Sequence, residues 1–96
     1  MAYELVWSDE ALEDISSIAT YIEKDSPFYA KAVVSKFFEK AEALIDFSEL
    51  GRVVPEINEN SIREIFVYSY RLIYKVESNE ILIIAVVHGK RLLDNI

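Results

Sequence analysis

Ninety-six residues with ten Lys and Arg, seventeen Asp and Glu and one His carry a formal net charge of −7; one small domain is expected, and the acidic balance argues against general nucleic-acid binding, since phosphate affinity comes chiefly from Lys and Arg. A hydrophobic fraction of 52% with 12% aromatics excludes a disordered chain, and the absence of cysteine excludes disulfides and thiolate metal or redox sites. No basic stretch precedes an apolar core at the start, and the longest apolar run, Ile81–Val87, is far below the roughly 20 residues that span a bilayer, so the expectation is a single soluble, cytoplasmic domain over residues 1–96 with no membrane partner.

Tyr3–Trp7 reads as a short first strand. Ser8 is placed to cap a helix, with Asp9 and Glu10 in the first turn, where acids suit the helix dipole. Ala11, Leu12, Ile15, Ile18, Ala19 and Ile22 recur at three- and four-residue spacing, which predicts an amphipathic helix from Asp9 to about Lys24. Asp25-Ser26-Pro27 ends it and starts the next: Ser26 caps, Pro27 suits the first helical position, and an apolar stripe from Ala30 to Ile45 carries that helix to about Asp46. The two helices form an antiparallel hairpin. A long connection, Phe47–Ser61, follows, punctuated by Gly51 and Pro55; connections of this length are often functional.

Ile62 to Leu92 predicts three consecutive strands. In Tyr70–Val76 the side chains of Tyr70, Leu72, Tyr74 and Val76 point one way, and those of Arg71, Ile73 and Lys75 the other. Ile81–Val87 is uniformly apolar, which fits a central strand shielded on both faces. Leu92–Ile96 is a short tail. The order β-α-α-β-β-β implies an α+β fold, a helical hairpin packed on one face of a small, mainly antiparallel sheet. One hairpin covers one face only. The second face is closed either by residues 47–61 and the tail or by a partner. Tyr21, Phe28, Tyr29 and Phe38 fall outside or at the edge of the core stripe, and several exposed aromatics together indicate an interaction surface.

Charge divides unevenly along the chain. Residues 1–50 carry four Lys against eleven acids, and residues 51–96 carry six Lys and Arg against six acids. The second half therefore holds the candidate working groups. Histidine is the side-chain type whose unperturbed pKa lies near neutrality, so His88 is the obvious general acid–base candidate, although a lone strand-end histidine is also an ordinary hydrogen-bonding group. Arg71 is suited to bidentate binding of a phosphate or carboxylate; its plain alternative is a salt bridge, with Glu64 on the neighbouring strand as one partner. Arg63, Lys75, Lys90 and Arg91 extend a basic patch with these two if the strand register brings them to one face. One His and no Cys give no metal-ligand spacing, Gly51 and Gly89 make no phosphate loop, and no cofactor is expected.

Taken together, W-S-x-x-A at Trp7–Ala11, Y-I at Tyr21-Ile22, S-P at Ser26-Pro27, L-G-R-V-V-P-E at Leu50–Glu56, R-E at Arg63-Glu64, Y-R-L-I-Y at Tyr70–Tyr74 and V-V-H-G-K-R-L-L at Val86–Leu93 resemble the ParE branch of the RelE/ParE toxins. The resemblance covers nearly the whole chain. It implies the toxin of a type II toxin–antitoxin pair, held by an antitoxin encoded beside it. Tyr21, Phe28 and Phe38 are then candidates for antitoxin binding, and Arg63, Arg71, Lys75, His88, Lys90 and Arg91 for target binding. ParE-like members, including those that stabilise plasmids, are associated with inhibition of DNA gyrase, whereas RelE-like members cleave messenger RNA on the ribosome. Under the second activity, Arg71, His88 and Arg91 are the catalytic candidates. A third reading is a non-toxic binding protein of the same fold. The sequence departs from the ribonuclease pattern: its last tyrosine is Tyr74, and residues 47–61 offer only Arg52 and no lysine. Ser48 also stands where ParE-like chains usually have proline.

Overall fold

The computed structural model describes residues 3–91 and 93. Four-residue strand β1 (Glu4–Trp7) leads into helices α1 (Asp9–Glu23) and α2 (Pro27–Ala43), followed by β2 (Arg52–Val53), β3 (Ile62–Val67), β4 (Tyr70–Val76) and β5 (Glu80–His88). The caps form as their residues dictate: the Ser8 hydroxyl accepts the Ala11 N–H, the Ser26 hydroxyl accepts the Tyr29 N–H, both at 3.0 Å, and Pro27 opens α2. The second helix stops at Ala43, short of the expected Asp46, because Leu44 and Ile45 turn back onto the Ala41 and Glu42 carbonyls. Most of the expected tail, residue 92 and residues 94–96, lies outside the described residues.

The sheet has five strands in the order β1-β5-β4-β3-β2, antiparallel throughout except that β1 runs parallel to β5. The strand the sequence reading lacked is β2, two residues inside the long connection, where Arg52 and Val53 pair with Glu64 and Arg63. Phe37 and Ala41 from α2, its C-cap Leu44, and Ala11 and Ile15 from α1 pack on Leu72, Tyr74, Ile81, Ile83 and Val86. The opposite face is closed by the chain itself: Val54 and Ile57 of the connection, with Leu93, cover Ile73, Ala85 and Val87.

Gly51 makes this connection fit. A Cβ there would run into the Glu64 carbonyl oxygen and come 2.8 Å from the Tyr74 hydroxyl. Tyr74, fully buried, accepts the Gly51 N–H and donates to the Ser48 carbonyl, both at 2.9 Å, so one phenol fastens the connection to the sheet.

A β-bulge breaks the alternation of β5. Ile73 pairs with Ala85 but Tyr74 pairs with Ile83, leaving Ile84 extra. Ile81 and Ile83 face the helices; past the bulge that face belongs to Val86, while Ala85 and Val87 turn to the second face. Helix α1 secures the irregular stretch. Asp14 accepts the Val86 N–H at 2.9 Å, and the Ser8 hydroxyl donates to the Ile84 carbonyl at 3.0 Å. The next residue in phase with Val86 is His88, so the bulge sends the histidine to the helix side.

Candidate functional site

The bulge brings His88 to a groove of about 600 Å³ between α1, the start of α2 and the β3–β4 turn. Tyr21 on α1, Tyr29 on α2, Tyr68 and Ser69 in the turn and Tyr70 on β4 line it, with Val33 and Val86 among the apolar surfaces and His88 and Arg91 on its wall. Tyr70 stacks edge-on with Phe37 at 5.7 Å and with His88 at 5.8 Å, and burial pushes its phenol above the ordinary pKa. The His88 Nδ1 accepts the Lys90 N–H at 3.2 Å, which folds the end of β5 around the imidazole.

The six basic candidates do not form one patch. His88, Lys90 and Arg91 sit together at the end of β5, where His88 pairs with Tyr70. Arg63 and Lys75 lie four and five residues further along the ladder, offset by about 13 and 17 Å along the strand direction at the usual rise. Arg63 is spent on its surroundings: it donates to the Gly51 carbonyl at 2.9 Å and to the Asn60 carbonyl and side chain.

Arg71 is on the second face and is only 3% exposed. Its Nε donates to Glu64 at 2.6 Å, and its two terminal nitrogens grip both carboxylate oxygens of Glu56 at 2.8 Å. The same guanidinium donates to the Arg91 carbonyl at 3.0 Å. Glu64, equally buried, receives Arg52 on its other oxygen at 2.6 Å. Two guanidiniums and two carboxylates thus balance under the connection, tying β2, β3, β4 and the chain beyond β5 to one another. The salt bridge to Glu64 anticipated from strand adjacency is present; the exposed, phosphate-reaching arginine is not.

Its hydrogen bonds to Arg71 hold the Glu56 carboxyl well below the usual range, moving it from 4.5 to about 2, and bonding to Glu56 and then Glu64 raises the Arg71 pKa further. A depressed carboxylate pKa adds stability above its unfolded-state value and loses it as pH falls through the folded value. Wild-type protein should therefore lose stability between about pH 4.5 and 2. In Glu56→Gln that contribution is absent, so its acid-unfolding curve should be flatter over this window. Equal slopes for the two proteins, followed by circular dichroism, would contradict the clasp.

The aromatic candidates also separate. Tyr21, 69% exposed, lines the groove. Phe28, 83% exposed, stands on the first turn of α2. Phe38 leans on Trp7 of the edge strand β1 with ring centres 4.7 Å apart; it lies about 180° around α2 from Tyr29 at 100° per residue, and so turns away from the groove. Tyr68 and Asp14 were missed. No glycine or asparagine marks the Tyr68–Ser69 turn, and Asp14 looks like any acid on the polar face of α1.

The profile of the family described as "ParE toxin of type II toxin-antitoxin system, parDE" matches residues 5–93. The protein named Toxin RelE2 from Caulobacter vibrioides is 29% identical over 90 residues, spanning 93% of this chain and 98% of that protein. Among the solved structures that share the fold are two toxin structures. One, described as the chromosomal ParDE TA system from P. aeruginosa, has a TM-score of 0.76 at 20% identity, covering 93% of this chain and 98% of that one. The other, a mutant of E. coli toxin RelE in the free state, has a TM-score of 0.67 at 19% identity, covering 94% and 86%.

Proposed function

The chain belongs to the ParE toxin family of type II toxin–antitoxin systems, and from that premise we propose that it acts by binding a protein target, DNA gyrase, and is itself held by an antitoxin encoded beside it. The observation that carries protein binding over RNA cleavage is the state of Arg71. A ribonuclease needs an acid–base group and phosphate-binding cations on one scissile linkage. Here Arg71 is enclosed by Glu56 and Glu64 on the face opposite the groove that His88 lines. The acidic balance of the chain and the lack of a tyrosine after Tyr74 argue in the same direction. An antitoxin that fills the aromatic groove accounts for its exposed tyrosines.

Induction without the antitoxin should arrest replication, and the purified chain should inhibit supercoiling by gyrase. Primer extension on messenger RNA from the induced cells should reveal no cuts at codon positions. His88→Gln, which keeps a hydrogen-bonding side chain but moves no proton near neutral pH, should remain toxic. Codon-phased cuts whose rate falls roughly 10²–10⁴-fold in His88→Gln would make the chain a ribosome-dependent endoribonuclease instead.

A further inference from the structure

Two non-glycine residues among those described have positive φ, Asn58 at 54° and Tyr68 at 55°. Asparagine visits this region readily, but a bulky side chain there is a strained exception. Tyr68 is the first residue of the two-residue turn joining β3 to β4, a position where positive φ normally selects glycine or asparagine. The turn is pinned as well. The Gly89 N–H donates to the Ser69 carbonyl at 2.7 Å, and a Cβ on Gly89 would stand 2.9 Å from that oxygen.

Burial does not explain the choice of residue. Tyr68 is 54% exposed, and its aromatic neighbour Tyr29 lies 6.3 Å away between ring centres. What the turn achieves is to hold the ring over the groove. Strain kept at an exposed position of this kind points to function. The groove also has a charge preference: His88 and Arg91 line it with Lys90 adjacent in the chain, and among the described residues its one acidic lining residue, Asp14, already accepts the Val86 N–H. Among the described residues Arg91 makes no ion pair.

We propose that Tyr68 is a specificity-determining contact for the polypeptide that neutralises this chain, and that the segment filling the groove is apolar with a carboxylate set against His88, Lys90 and Arg91. This rests on the toxin–antitoxin reading above. The pinned turn fixes the backbone at Tyr68 before the partner arrives, so less ordering remains to be done on binding. Tyrosine is a characteristic anchor residue in such interfaces.

The test is calorimetric titration of the purified product of the adjacent gene into the wild-type chain, Tyr68→Asn, Tyr68→Phe and Arg91→Glu, with thermal unfolding of each. Tyr68→Asn should keep or raise Tm, because asparagine accepts positive φ, yet weaken binding about 30-fold or more. Tyr68→Phe should retain both Tm and affinity, and Arg91→Glu should lose affinity with Tm unchanged. A lower Tm in Tyr68→Asn would mean that the ring serves the fold, and an unaltered Kd would mean that it is no contact; either overturns the proposal while the toxin–antitoxin reading stands. Unchanged binding by Arg91→Glu removes the carboxylate. No binding by the wild-type chain overturns both readings together.

Discussion

Arg71→Ala is expected to cost about 3–5 kcal/mol of folding stability, because it leaves Glu64 buried with its main counter-charge gone. The side chains of the pair are 4% and 0% exposed, so water cannot replace the lost bonds. Arg52 remains on the second oxygen of Glu64, but from a largely exposed position. Small domains have about 5–15 kcal/mol in total, so thermal unfolding should fall by more than about 10 °C. Arg71→Leu combined with Glu64→Leu removes both charges and should recover much of the loss, since apolar replacement of a whole buried pair is often tolerated. The measurement separates structure from function. An Arg71→Ala protein that folds with wild-type stability but has lost toxicity would identify Arg71 as a working group and refute its role as a clasp.

Phe37→Ala should be about as costly, at roughly 3–5 kcal/mol, through the cavity left between α2 and the sheet. Phe37 is fully buried, and its ring meets Tyr70, which in turn meets His88. Removing it takes away the support beneath the groove floor as well as apolar contact. Phe37→Leu, which refills most of the volume, should lose much less. Urea unfolding of the two variants checks the ranking; equal losses would show that ring geometry, and not filled volume, sets the cost.

The helical hairpin and the main strands were legible because each states its own local rule. Ser8 and Ser26 sit where caps are needed, Pro27 opens a helix, and Tyr70–Val76 alternates cleanly. The Arg71–Glu64 pair was readable from strand adjacency alone, since the two residues lie on diagonal positions of one face. Glu56 was not, because its place depends on how a long connection folds back. The phase of β5 was hidden for a different reason. Ile81–Val87 is apolar at every position, so no polar residue reports the bulge at Ile84, and the face on which His88 emerges follows from that one inserted residue. The groove was therefore invisible as a site, although Tyr21, Tyr29 and His88 had each been singled out.

The partnership of β1 with β5 bears on how the molecule comes to exist. Leu5 pairs with Ile81 and Trp7 with Ile83, the Ser8 cap reaches the Ile84 carbonyl, and Asp14 serves Val86. These links join positions more than 70 residues apart. High contact order of this kind places sheet closure late in folding, after the locally encoded helices have had time to form. A chain released from synthesis before residue 80 has its hairpin but neither the strand that β1 joins nor the amide that Asp14 accepts. Such a fragment leaves the apolar stripe of α1 without Ile81, Ile83 and Val86 to pack on, and it has no groove. Interrupted synthesis therefore yields an aggregation-prone remnant in place of a shorter active protein.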